Sequence, residues 1–98
     1  MKLGIFVNQY KCTSEALDRM KADRLGIILV QNGIYYATVK ENGKAAALLD
    51  KDAEFYALSE DIQSRGFTES DVDGKVKVID YNGLVDLIFN DYEKFAWI

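Results

Sequence analysis

A chain of 98 residues with 49% apolar and 12% aromatic side chains has enough apolar material for one packed domain, which excludes a disordered tail or linker. Twelve basic against sixteen acidic residues give a net charge of −4, which excludes unaided nucleic-acid binding through counterion release. One cysteine, Cys12, and no histidine exclude an internal disulfide and a multi-thiolate zinc site, and they remove the commonest general base.

The first run, Leu3 to Val7 (LGIFV), reads as a strand buried on both faces. It is too short for a signal-peptide core, and no stretch approaches the roughly 20 apolar residues of a membrane span. A cytoplasmic, reducing location is the expectation, consistent with the lone thiol. Thr13 or Ser14 caps a first helix, with Glu15 in its first turn and Ala16, Leu17 and Met20 on one face. Leu25 to Val30 is a second buried strand. Asn32 then reads as the N-cap of a helix that places Ile34, Ala37 and Thr38 together, and Gly33 permits a tight passage from strand to helix. Glu41-Asn42-Gly43 breaks that helix, and Ala45 to Leu49 reads as a further helical turn or two.

Glu54 to Leu58 is the third strand. Ser59 caps a helix over residues 60–65, closed by Gly66, with Arg65 near the negative end of the dipole. A polar loop, Thr68 to Gly74, leads to the fourth strand, KVKVI. Asp80 caps the most periodic helix, in which Tyr81, Leu84, Val85, Ile88, Phe89 and Tyr92 form one apolar stripe expected to face the core. Asp86 lies off that stripe and reads as a solvated side chain. Residues 94–98, KFAWI, form a short last strand.

Strands alternate with helices throughout, so residues 1–98 read as a single three-layer α/β/α domain with a mostly parallel five-stranded sheet. Ligands and chemistry collect at the carboxyl ends of such strands. Here that rim is Asn8 to Cys12, Gln31-Asn32-Gly33, Ser59 to Asp61 and Asp80-Tyr81.

Three stretches in order, LVQNGIYYA, FYALSEDIQSRGF and VKVIDYNGLVDLI, followed by Trp97, resemble the DsrH/TusB branch of the DsrE/DsrF/DsrH-like sulfur-relay proteins. The resemblance runs from about Gly26 to Trp97. It implies a subunit of an intracellular complex that passes persulfide sulfur between cysteines, either toward 2-thiolation of the tRNA wobble uridine or in dissimilatory sulfur oxidation. It implies DsrE/TusD-like and DsrF/TusC-like partner chains, of which the DsrE/TusD type carries the relay cysteine. Branch members act mostly as structural subunits, some with a cysteine on the first helix. That helix position falls near Leu17, and Cys12 lies in the loop before it.

Cys12 is the persulfide candidate, since a following helix N-terminus and the adjacent Lys11 both favour a thiolate. The alternative is an incidental loop cysteine. Capping accounts for Asn32 and Gly33 without a ligand; the functional reading has the amides of Gln31 and Asn32 face a persulfide or a partner's loop. Tyr35 and Tyr36 point about 100° apart on a helix, so one packs on the sheet and the other is left as an interface residue. The aromatic load exceeds what one small core hides, and a dimer or higher assembly through the Tyr35/Tyr36 face is the expectation. No cofactor or metal is expected, because the acids are scattered across the elements. A flavodoxin-like ligand binder is disfavoured because NQYKCTSEA lacks a phosphate cradle.

Overall fold

The computed structural model describes residues 2–8, 24–39, 49 and 53–97. Cys12, the expected first helix with Thr13, Ser14, Glu15, Ala16, Leu17 and Met20, and the expected break at Glu41-Asn42-Gly43 lie outside the described residues. Of the turn expected over Ala45 to Leu49, Leu49 alone is described, and it is buried.

Five strands form one all-parallel sheet: β1 (Lys2–Val7), β2 (Arg24–Leu29), β3 (Glu54–Leu58), β4 (Val76–Ile79) and β5 (Lys94–Trp97), in the spatial order β4-β3-β2-β1-β5. Each expected strand is present within a residue or so. β-branched and aliphatic runs suit strands covered on both faces, and the side-chain alternation divides them cleanly. Ile5, Val7, Ile27, Leu29, Phe55, Ala57 and Val76 face one layer; Phe6, Ile28, Val30, Tyr56 and Leu58 face the other.

The first layer is covered by a 3₁₀ turn, Gln31–Ile34, running into the helix α1 (Tyr35–Thr38), and by α2 (Ser59–Ser64). Ile34, Tyr36, Ala37 and Ile62 are their buried anchors. The second layer is covered by α3 (Tyr81–Asp86), which continues as a π turn over Leu87–Asp91. Helices on both faces make the three layers expected from the alternation.

Local signals set several boundaries as expected. Asp80 Oδ1 accepts the Gly83 N–H at 2.8 Å and caps α3. Gly66 takes φ +83 after α2; its N–H reaches the Gln63 carbonyl and the Phe67 N–H the Ile62 carbonyl, both at 3.1 Å, the paired bonds of a Schellman ending.

Two expected caps differ. Ser59 is the first residue of α2, its hydroxyl bonds the Glu60 carboxylate, and Leu58 stands at the cap without a side-chain bond. Asn32 does not cap the helix after β2 either, because the chain enters it through the 3₁₀ turn with Val30 at the cap position.

The larger correction concerns α3. Tyr81, Val85, Ile88 and Phe89, expected in the core, are exposed, whereas Leu87, outside the expected stripe, is buried with Leu84 beside it. The two ends of the helix set this rotation. Asp80 fixes the start next to β4. At the other end the Tyr92 N–H bonds the Leu87 carbonyl, a five-residue spacing that adds one residue to the turn and swings Tyr92 inward over Gly26 of β2.

Candidate functional site

The carboxyl ends of β1, β2 and β3 meet in a small polar clamp. The Val30 N–H bonds the Val7 carbonyl at 3.0 Å, which ties the ends of β2 and β1 together. Gln31 then turns with φ +50, in the left-handed region that a non-glycine residue enters at a cost. Its N–H points at Asp61 of α2 and bonds Oδ2 at 2.7 Å. Arg65 Nε donates to Asn32 Oδ1 at 3.0 Å, while its Nη1 lies 3.7 Å from Asp61 Oδ1 and donates to the Asp61 carbonyl. Asp61 of α2 and Arg65 at its C-cap, four residues apart, therefore grip both rim residues, and this interstrand role replaces the expected helix cap at Asn32.

Gly33 lies beneath this clamp. A Cβ there would overlap the carbonyl oxygen of Val7, so only glycine lets the loop lie on the end of β1. The close approach matches the expected tight passage. Gln31 and Asn32 are exposed above it, and Asn8 is the last described residue before the segment that carries Cys12.

Asp80 and Tyr81 stand farther along the rim. Asp80 and Ser59 line an open groove of about 530 Å³ between α2, β4 and α3, together with Gln63, Lys77 and Asp86. The rim thus has two parts, the clamp on the β1–β2–β3 side and the groove beside β4. Among the described residues no cluster of three or more acidic or thiol side chains could hold a metal ion.

The tyrosine pair meets the expectation in part. Tyr36 is buried in the first layer, as one of the two had to be. Tyr35 is half-buried, edge-on to Phe67 with ring centroids 6.1 Å apart. Among the described residues the large exposed aromatics are instead Tyr81, Phe89 and Trp97.

A second polar constellation, at the opposite end of the sheet, escaped the sequence reading. Glu54 Oε1 accepts from Arg24 Nε at 2.7 Å, and its Oε2 accepts from Arg24 Nη2 at 2.8 Å, Tyr56 Oη at 2.7 Å and Tyr92 Oη at 3.0 Å. The Arg24 guanidinium also lies over the Tyr92 ring, 5.2 Å from its centroid. The available signal was a charged residue opening each of two adjacent buried strands, one of each sign. The Arg24 hydrogen bonds hold the Glu54 carboxyl down at about 2 against partial burial, while desolvation pushes both tyrosine hydroxyls up.

A carboxylate depressed in the folded state stabilises above its unfolded value near 4.5, and that contribution is lost as pH falls toward 2. The Glu54 side chain is 44% exposed, so solvent screening leaves about 1 kcal/mol of the full effect. Thermal scans from pH 6 to pH 2 should show wild type losing roughly 4–8 °C more than Glu54→Gln over this window. Parallel acid limbs for the two proteins would contradict this role for the ion pair.

These features define a class: a small, all-parallel α/β/α domain of strand order 4-3-2-1-5 with a clamped polar rim at its strand ends. The DsrH-like protein family model matches residues 9–94. Protein TusB of Photorhabdus laumondii is 35% identical over 88 residues, covering 90% of each chain, and protein TusB of Yersinia pestis is 30% identical over the same coverage. Among solved structures, protein Tm0979 of Thermotoga maritima has a TM-score of 0.59 at 27% identity, covering 90% of this chain and 93% of its own. A protein of unknown function, MTH1491 of Methanobacterium thermoautotrophicum, has a TM-score of 0.68 at 12% identity, over 98% and 97% of the two chains, and shares the fold. The chain belongs to the DsrH-like family of sulfur-relay proteins, in its TusB branch. No helix among the described residues is long and apolar enough to cross a membrane.

Proposed function

We propose that the protein is a structural and docking subunit of a cytoplasmic sulfur-relay complex that serves 2-thiolation of the tRNA wobble uridine, assembled with TusC-like (DsrF-like) and TusD-like (DsrE-like) chains. The family match over residues 9–94 carries this reading. The exposure of several large apolar side chains on a domain of 98 residues supports it, since such surface marks protein contacts. The net charge of −4 agrees with leaving tRNA to another subunit. Of the tyrosine pair, Tyr35 alone keeps surface for a partner.

In this reading the rim of Gln31, Asn32, Gly33, Asp80 and Tyr81 is scaffolding, and the relay thiol comes from the TusD-like chain. Co-expression with TusC-like and TusD-like chains of the same organism should yield a stable complex, and deletion of the gene should abolish wobble-uridine 2-thiolation. Cys12→Ser should restore thiolation in the deletion strain. A variant that assembles normally yet fails to restore it would transfer the function to direct persulfide carriage. That reading draws on the Lys11 neighbour and on chain reach, since four residues from Asn8 span at most about 14 Å. Dissimilatory sulfur oxidation is the other destination, and intact tRNA thiolation in the deletion strain would point to it.

A further inference from the structure

We propose that the outward face of α3, made of Tyr81, Val85, Ile88 and Phe89 and joined by Trp97 of β5, docks a different protein chain whose contact patch is apolar and bordered by lysine or arginine side chains. This deepens the reading above and rests on it.

The face is built as a surface. The four residues, two on α3 and two on the π turn that continues it, recur at i, i+4, i+7 and i+8 and are exposed by 56, 48, 38 and 79%. Phe89 exposes more of its side chain than any other large apolar residue described, and Trp97 follows at 61%. Trp97 lies on the same sheet face as α3: it is in register with Phe6 of β1 and stacks on that ring at 4.7 Å. Leu84, Leu87 and Tyr92 already supply the helix with its buried side. The apolar stripe is therefore surplus to the fold.

Charge selects the occupant. Residues 80–93 carry Asp80, Asp86, Asp91 and Glu93 and no lysine or arginine. Of the adjoining cations, Lys77 of β4 lines the groove with Asp80, Asp86 and Asp91 and leaves that flank net acidic, while Lys94 sits on β5 at the opposite edge of the sheet. A second copy of this chain would bring the same carboxylates against one another across a two-fold contact, a like-charge arrangement that opposes self-association. A partner with a basic border gains from the net negative charge that remains. Aromatic residues packed in an apolar centre carry most of the affinity, and the charged border sets the association rate.

The test uses the purified TusC-like and TusD-like chains as probe, with the association rate and Kd read by biolayer interferometry. Phe89→Asp should weaken binding at least about thirtyfold, the scale of an interface hot spot, with Tm unchanged because the side chain is exposed. Raising salt from 50 to 500 mM should slow wild-type association about tenfold, and Asp86→Lys should slow it further and flatten the salt dependence. If wild type and Phe89→Asp bind equally, the surface assignment falls while the relay reading stands. Association insensitive to salt and to Asp86→Lys overturns the basic border. A dimer of the protein alone that Phe89→Asp abolishes in light scattering makes a second copy the occupant and overturns the proposal. Failure of wild type to bind the probe removes both readings.

Discussion

Gly33→Ala should lower stability by about 3 kcal/mol or more, a Tm loss of roughly 12–24 °C, because it forces two backbone segments apart. The added Cβ would overlap the Val7 carbonyl oxygen and lie 2.8 Å from its carbon. Neither atom can rotate away, unlike the end of a side chain. The same oxygen accepts the Val30 N–H at 3.0 Å, and the Gly33 N–H bonds the Val30 carbonyl at 2.8 Å. Moving the loop to make room breaks this pairing and loosens the contact of Gln31 with Asp61. Gly74→Ala is the control, since a Cβ there meets nothing within 4 Å. Urea and thermal unfolding of the two variants decide the matter, and a Gly33→Ala protein within about 3 °C of wild type would refute the close approach.

Leu87→Ala should cost about 2–4 kcal/mol, and Phe89→Ala should stay within roughly 0.5 kcal/mol of wild type. Sequence periodicity orders these two the other way, with Phe89 in the core stripe and Leu87 outside it. Leu87 is 6% exposed and packs with Ile28, Tyr56, Leu58 and Tyr92, so truncation leaves a cavity beneath the main cover of the second layer. Phe89 is in the reverse situation. Equal Tm values for the two variants, or a larger loss at Phe89, would mean that α3 is rotated from the position described.

Strand and helix boundaries were legible in the sequence because they depend on neighbours along the chain. The apolar runs of β1, β2 and β3, the Asp80 cap and the Gly66 ending each rest on a few consecutive residues, and the strand–helix alternation was enough for a parallel three-layer domain. The rim was also legible, since it follows from where strands end. Three features were decided elsewhere. The rotation of α3 depends on which side of an amphipathic helix meets a sheet, and a stripe wider than its seat cannot specify that; the Asp80 cap and the π turn at Tyr92 do. The clamp joins Gln31 and Asn32 to Asp61 and Arg65 across some thirty residues, where local signals for capping read Asn32 as its own helix's cap. The Glu54 network gathers Arg24, Tyr56 and Tyr92 from two strands and the residue that ends the π turn, and one carboxylate receives all of their donors only after the sheet has set its register. Residue types and short-range spacing determined the elements and their order; side chains distant in sequence, meeting in space, decided which faces were buried and which were left exposed.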